Sequence, residues 1–178
     1  MKAHIFAEGS NTTAEERTKP AKEYFQGLFG MVAGLTDEIS ESADTSLHVL
    51  SEEFGVLKGN QAISNVTKSD KGTSANLWEN AQKELLTAAR EADVMVILLS
   101  TGTFEKTADE IWPKLVEEAK PESIWCIGAA RSTLDSVDFG KLEDKGCQVI
   151  SYQRVGVARI GTDTREDLLH AVTQKDSE

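Results

Sequence analysis

Five short strand-like runs, separated by stretches of helical periodicity, constrain this chain more than any other feature. They are Ala3–Ala7, Leu47–Leu50, Val94–Leu99, Ile124–Ile127 and Gln148–Tyr152. After Pro20, residues Ala21, Tyr24, Phe25, Leu28, Val32, Leu35 and Ile39 recur at spacings of three and four, which predicts an amphipathic helix. Trp78, Ala81, Leu85, Ala88 and Ala92 mark a second helix, and Ile111, Trp112, Leu115 and Ala119 the buried face of a third. Thr107 followed by Glu110 reads as a capping box opening that third helix. A weak helix or turn over 135–145 ends at Gly146, and a short helix over 164–173 closes the chain.

Strands alternating with helices build βαβ units. The expected fold class is therefore α/β: a single Rossmann-like three-layer domain over residues 1–174, with 175–178 as a frayed tail. Its sheet is mainly parallel, of about five strands, with helices on both faces. Val155–Ile160 is the candidate antiparallel edge strand, and 56–73 holds no firm element and reads as a functional loop or lid. The three tryptophans, Trp78, Trp112 and Trp125, fall at core positions.

Composition narrows the function classes. Hydrophobic residues make up 39% of the 178, enough for one core and too many for a disordered or collagen-like chain. No run approaches the roughly 20 apolar residues of a membrane helix, and the N-terminus lacks a signal-peptide pattern. A cytoplasmic protein without membrane partners is expected, with Cys126 and Cys147 as reduced, buried thiols. His4, His48 and His170 are scattered without zinc-site spacing, so neither metal nor cofactor is called for. The formal charge of −11 repels nucleic-acid backbones, which makes a small molecule the expected partner, with a homo-oligomer compatible.

In open α/β sheets, ligands bind beyond the carboxyl ends of the strands. Four expected strands end in small polar residues there: Ala7–Ser10, Ser51–Gly55, Ser100–Phe104 and Gly128–Ser132. Gly9, Ser10, Ser51, Gly55, Ser100, Thr101, Gly102 and Gly128 are accordingly candidate ligand-binding residues, because hydroxyls and bare backbone suit phosphate or sugar oxygens. Thr103 is either a further hydroxyl ligand or a helix cap. Arg131 offers a charge for a phosphate or a site carboxylate. Glu8 and Glu52, each just after a strand, are the candidate catalytic carboxylates, as general acid/base, nucleophile or ribose-hydroxyl acceptor. The chain has no G-x-x-x-x-G-K-[ST], no G-x-G-x-x-G after a strand and no G-x-S-x-G. That argues against a conventional P-loop NTPase, a Rossmann dehydrogenase and an α/β-hydrolase.

Two segments carry a resemblance. Lys19-Pro20-Ala21-Lys22-Glu23-Tyr24, with Gln26-Gly27-Leu28-Phe29, resembles the P-A-x-x-[LY/RF]-x-G-x-x-[FY] stretch of a poorly characterised group of small α/β domains. Val49-Leu50-Ser51-Glu52-Glu53-Phe54-Gly55-Val56-Leu57 is similar to that group's I-L-S-A-x-Y-G-L-L signature. More distantly, the group is similar to the peroxide-stress protein family, whose L-A-S-x-E-Y stretch matches Leu99–Phe104 in position. The resemblance implies a domain handling a nucleotide, nucleoside or modified base, with Lys19, Tyr24, Ser51 and Gly55 near the site. Glu8-Gly9-Ser10 stands where the peroxide-stress proteins have a Ser-Pro-Ala-Lys type of loop, and their basic C-terminal stretch is missing. The expected function is nucleotide or nucleoside handling, with cleavage or transfer at an N-glycosidic bond as the candidate reaction. The alternatives are a non-catalytic sensor of a nucleotide or small anion, and a nucleic-acid-associated stress-response protein.

Overall fold

Strand β1 (Lys2–Glu8) buries five successive residues, Ala3 to Ala7, as a strand covered on both faces must. The structure, a computed structural model, describes residues 1–9, 19–24, 29–51, 55–60, 74–153 and 160–177. Among them, β1 joins β2 (Asp44–Ser51), β3 (Gly55–Lys58), β4 (Val94–Leu98), β5 (Ile124–Ala129) and β6 (Gln148–Gln153) in one sheet. The order is β3-β2-β1-β4-β5-β6, and every neighbouring pair is parallel except β2 with β3.

Alternation along each strand sorts the side chains into two cores. Ile5, Val49, Val96 and Cys126 face α1 (Ala21–Tyr24), α2 (Phe29–Ser40) and α8 (Thr162–Asp176), meeting Phe29, Val32, Leu35, Ile39 and Leu168. Phe6, Met95, Ile97, Trp125 and Ile127 face the opposite layer of α3 (Ser74–Glu91), α4 (Thr101–Phe104), α5 (Trp112–Glu118), α6 (Arg131–Ser136) and α7 (Gly140–Asp144). Burying one such side chain stabilises the fold by about 1.5–3 kcal/mol. The three-layer α/β expectation holds. No helix of the described residues is long and apolar enough to cross a membrane.

Several local expectations are corrected. The antiparallel edge strand is β3, inside a stretch expected to lack a firm element; of the candidate edge strand 155–160, residues 155–159 lie outside the described residues. Gly55 starts β3 at φ +82°, a backbone region that side chains rarely enter, and pairs back onto Ser51. Residues 61–73 also lie outside the described part.

Thr107 and Glu110 form no capping box. The chain is already helical from Thr101, passes through a π-helical turn at Glu105–Asp109, and Thr107 Oγ1 donates to the Thr103 carbonyl at 2.7 Å. The break comes later, at Ile111, because Pro113 in the first turn of α5 cannot continue the preceding helix. The expected helix over 135–145 is two, α6 and α7, and Gly146 ends the second at φ +80°. At the tail, α8 runs to Asp176, and Lys175 Nζ donates to the Glu122 carbonyl at 2.8 Å.

Trp112 and Trp125 are buried edge to face, 6.0 Å apart. Trp78 is half-buried and packs against the same core from its edge, with Lys106 Nζ 5.2 Å from its ring centroid. Both cysteines are buried, and burial pushes the Cys126 thiol up to about 12.

Candidate functional site

The five parallel strands place the topological switch between β1 and β4. From β1 the chain goes to β2 on one side, then returns to lay β4 on the other. Beyond the carboxyl ends at such a point the two connections diverge and leave a crevice. Ala7 pairs with Leu98, so Glu8 of β1 and Leu99 with Ser100 after β4 stand at the carboxyl ends on either side of the switch.

Glu8 follows the parity of His4 and Phe6, so it leaves the sheet on the α3 side. Its Oε1 accepts the backbone N–H of Ser100. Ser100 is extended (φ −65°, ψ 161°) and opens the helical run, its carbonyl accepting from the Phe104 N–H at 2.8 Å. In a capping box, a carboxylate from the helix's own first turn would take the Ser100 amide. Here the carboxylate comes from another strand and ties the two sides of the switch together. Ser100 Oγ donates to Thr103 Oγ1 at 3.2 Å, and Thr103 is buried, which favours its structural reading over ligation. On the other flank of β1, the Gly9 N–H donates to the Leu50 carbonyl at 3.0 Å, extending the β1–β2 pairing past Glu8.

Gly9 thus adjoins Glu8 at the end of β1, and Ser100, bonded to Glu8, opens the helical run that continues through Thr101 and Gly102. Ser51 and Gly55 pair at the carboxyl end of β2. Gly102 is exposed, and a Cβ there would touch nothing within 4 Å, so the fold itself does not require glycine at that position. Gly128 is not a loop residue. It lies within β5, between Leu98 and Tyr152, and is buried. Arg131 is exposed on α6, with Nε 3.9 Å from Asp135 Oδ2 one turn on, a surface ion pair. Ser10 and Glu52 lie outside the described residues.

The Lys19–Tyr24 segment runs elsewhere. The Lys22 N–H donates to the Gly59 carbonyl at 2.9 Å, just past the end of β3 remote from Gly55. Pro20, Lys22, Thr36, Asp37, Ser46 and Lys58 are among the residues lining a polar cavity of about 410 Å³ there, beside the amino-terminal half of β2. Lys22 Nζ reaches Asp37 Oδ1 at 2.9 Å across it.

Sequence reasoning missed a second cluster. His4 and His48, separate in the chain, meet on the α3 face because β1 and β2 are neighbours in parallel register. His48 is 2% exposed, stacks on Phe6 with ring centroids 4.2 Å apart, and lies 2.9 Å from His4 through their ring nitrogens. Lys58 on β3 and Glu84 and Glu91 on α3 extend the contacts to the surface. Burial, then the Lys58 ammonium, then His4 push His48 down to about 3. The Glu91 carboxyl is held below its usual range by its hydrogen bonds to His4 and Lys2. Burial alone would raise the Asp93 carboxyl, yet its bonds to Lys120 and the Lys2 N–H hold it low. The signal was a histidine inside each of two apolar runs, unusable without the strand order.

No family model matches the chain, and no curated protein does. Among solved structures it is similar to a diflavin flavoprotein A3 from Nostoc sp., with 8% identity and a TM-score of 0.43. The match covers 99% of this chain and 93% of that chain.

Proposed function

We propose that this chain binds a nucleoside- or nucleotide-like small molecule in the crevice between the carboxyl ends of β1 and β4, with Glu8 facing a ligand hydroxyl. The observation that carries the reading is the Glu8 carboxylate at the switch point, bonded to Ser100 and flanked by Gly9, Thr101 and Gly102. A carboxylate accepts hydrogen bonds from hydroxyls and repels phosphate, so the sugar end of the ligand suits this position. As an enzyme, the chain would act at an N-glycosidic bond, with Glu8 as the acid/base or nucleophile. A cytoplasmic setting suits its free thiols, and its acidic charge favours a small ligand over nucleic acid.

A non-catalytic binding module is the second reading. Glu8 favours it in one respect, because a carboxylate already committed to an amide serves as an anchor. A thermal-shift panel of nucleosides, nucleotides and sugar phosphates tests both readings. A ligand at 100 times its dissociation constant adds about 2.7 kcal/mol of stability. Nucleosides should shift the melt more than the matching phosphates, and an unmoved melt across the panel overturns the proposal. Glu8→Gln then separates the two, since an enzyme loses turnover with binding kept.

A further inference from the structure

The contacts of His4 and His48 fix every proton in the pair. Lys58 Nζ, an ammonium, can only donate, so His48 Nδ1, 2.7 Å away, accepts. His48 therefore carries its proton on Nε2 and donates to His4 Nδ1 at 2.9 Å. His4 in turn carries its proton on Nε2 and donates to Glu91 Oε1 at 2.7 Å. Two further charged groups face the pair: Glu84 on α3, which accepts from Lys58 at 3.0 Å and lies 3.8 Å from His48 Nδ1, and Lys2 on β1, which donates to Glu91 Oε2 at 3.2 Å. Phe6 packs flat on His48 and brings no charge.

Each ring nitrogen has a partner, and all three bonds point from β3 through the sheet toward α3. A further proton has no vacant place. On His48 Nδ1 it meets the Lys58 ammonium, and on His4 Nδ1 it meets the His48 N–H. Either way one link breaks. β3 is four residues long, its partner strand among the described residues is β2, and Lys58 ties this edge to α3 beside the packing of Val56 on the α3-side core.

We propose that Lys58, His48, His4 and Glu91 form an acid-operated latch, which holds the β3 edge of the sheet against α3 while the His48 imidazole is neutral and releases it when that ring takes a second proton. An opening that frees His48 restores its ordinary affinity for protons. At pH 5 such an opening becomes about 30-fold more populated than at neutral pH, while openings that leave the pair intact do not respond.

The test uses the full chain in two measurements. Nitrogen-15 histidine spectra at pH 7 should show His48 neutral, with its proton on Nε2. Amide exchange at pH 7 and pH 5, corrected for the intrinsic chemical rate, should show Val56–Lys58 less protected than β4 and β5 and losing protection at least tenfold at pH 5, a loss that His48→Gln cuts to under twofold. A charged His48 ring, or a proton on its Nδ1, at pH 7 overturns the latch. So does protection of β3 that is indifferent to pH, that equals that of β4 and β5, or that falls as far in His48→Gln as in the wild type.

Discussion

Replacing His48 by Gln isolates what one buried imidazole contributes to the pH dependence of folding. The amide of Gln can still donate toward His4 and accept from Lys58, but it does not titrate. In the folded protein His48 sits at about 3, against 6.5 for an unperturbed histidine. Between those values the unfolded chain holds the extra proton, so stability falls as pH drops from 6.5 toward 3 and is complete above 6.5. Integrating one group over that window gives a loss of about 2 kcal/mol at pH 5 and about 3 kcal/mol at pH 4, relative to neutral pH. Domains of this size have some 5–15 kcal/mol to lose, so the protein remains measurable at pH 4. Urea melts at pH 7, 5 and 4 should show this loss in the wild type and its absence in His48→Gln, on top of an offset present at every pH. Equal losses in the two proteins would refute the assignment of His48 as a neutral buried base.

Three further outcomes follow from named contacts. Gly146→Ala forces a side chain into φ +80° and brings its Cβ to 3.3 Å from Glu122 Cγ; a urea melt should show a loss of about 1–2 kcal/mol, and an unchanged midpoint would contradict the turn geometry. Glu8→Leu orphans the Ser100 N–H, so unfolding should move by about 1–3 kcal/mol, whereas Glu8→Gln keeps an acceptor and should recover much of it. Cys126, fully buried with its thiol pushed up to about 12, should resist a thiol reagent in the native state and react once urea unfolds the chain.

Much of the architecture was legible because period-two and period-3.6 patterns announce themselves locally. Val94–Leu98 and the stripe from Ala81 to Ala88 needed no knowledge of their neighbours. Thr107 misled because a hydroxyl in a helix interior can bond its own preceding turn, as it does to Thr103, and so mimics a cap in sequence. β3 escaped because four residues carry too little pattern, and its identity rests on Gly55 turning the chain back. The crevice was half legible. Glu8 and Ser100 are strand-end residues, but that they meet follows from β1 lying beside β4. Gly128 was misplaced for a related reason: pairing with Leu98 and Tyr152 carries β5 past it. The histidine pair was invisible, since pairing across 44 positions depends on which strand lies next to which.

Glu8 has a consequence for binding strength. Because it already occupies the Ser100 amide, it is a tethered competitor for any anionic group seeking that donor. A phosphate would have to evict it, and the forfeited charge-assisted bond, about 1.5–3 kcal/mol, would weaken such a complex some ten- to hundredfold. Neutral guests would escape the toll, so a ligand of the proposed kind would be sorted by charge before its shape is read.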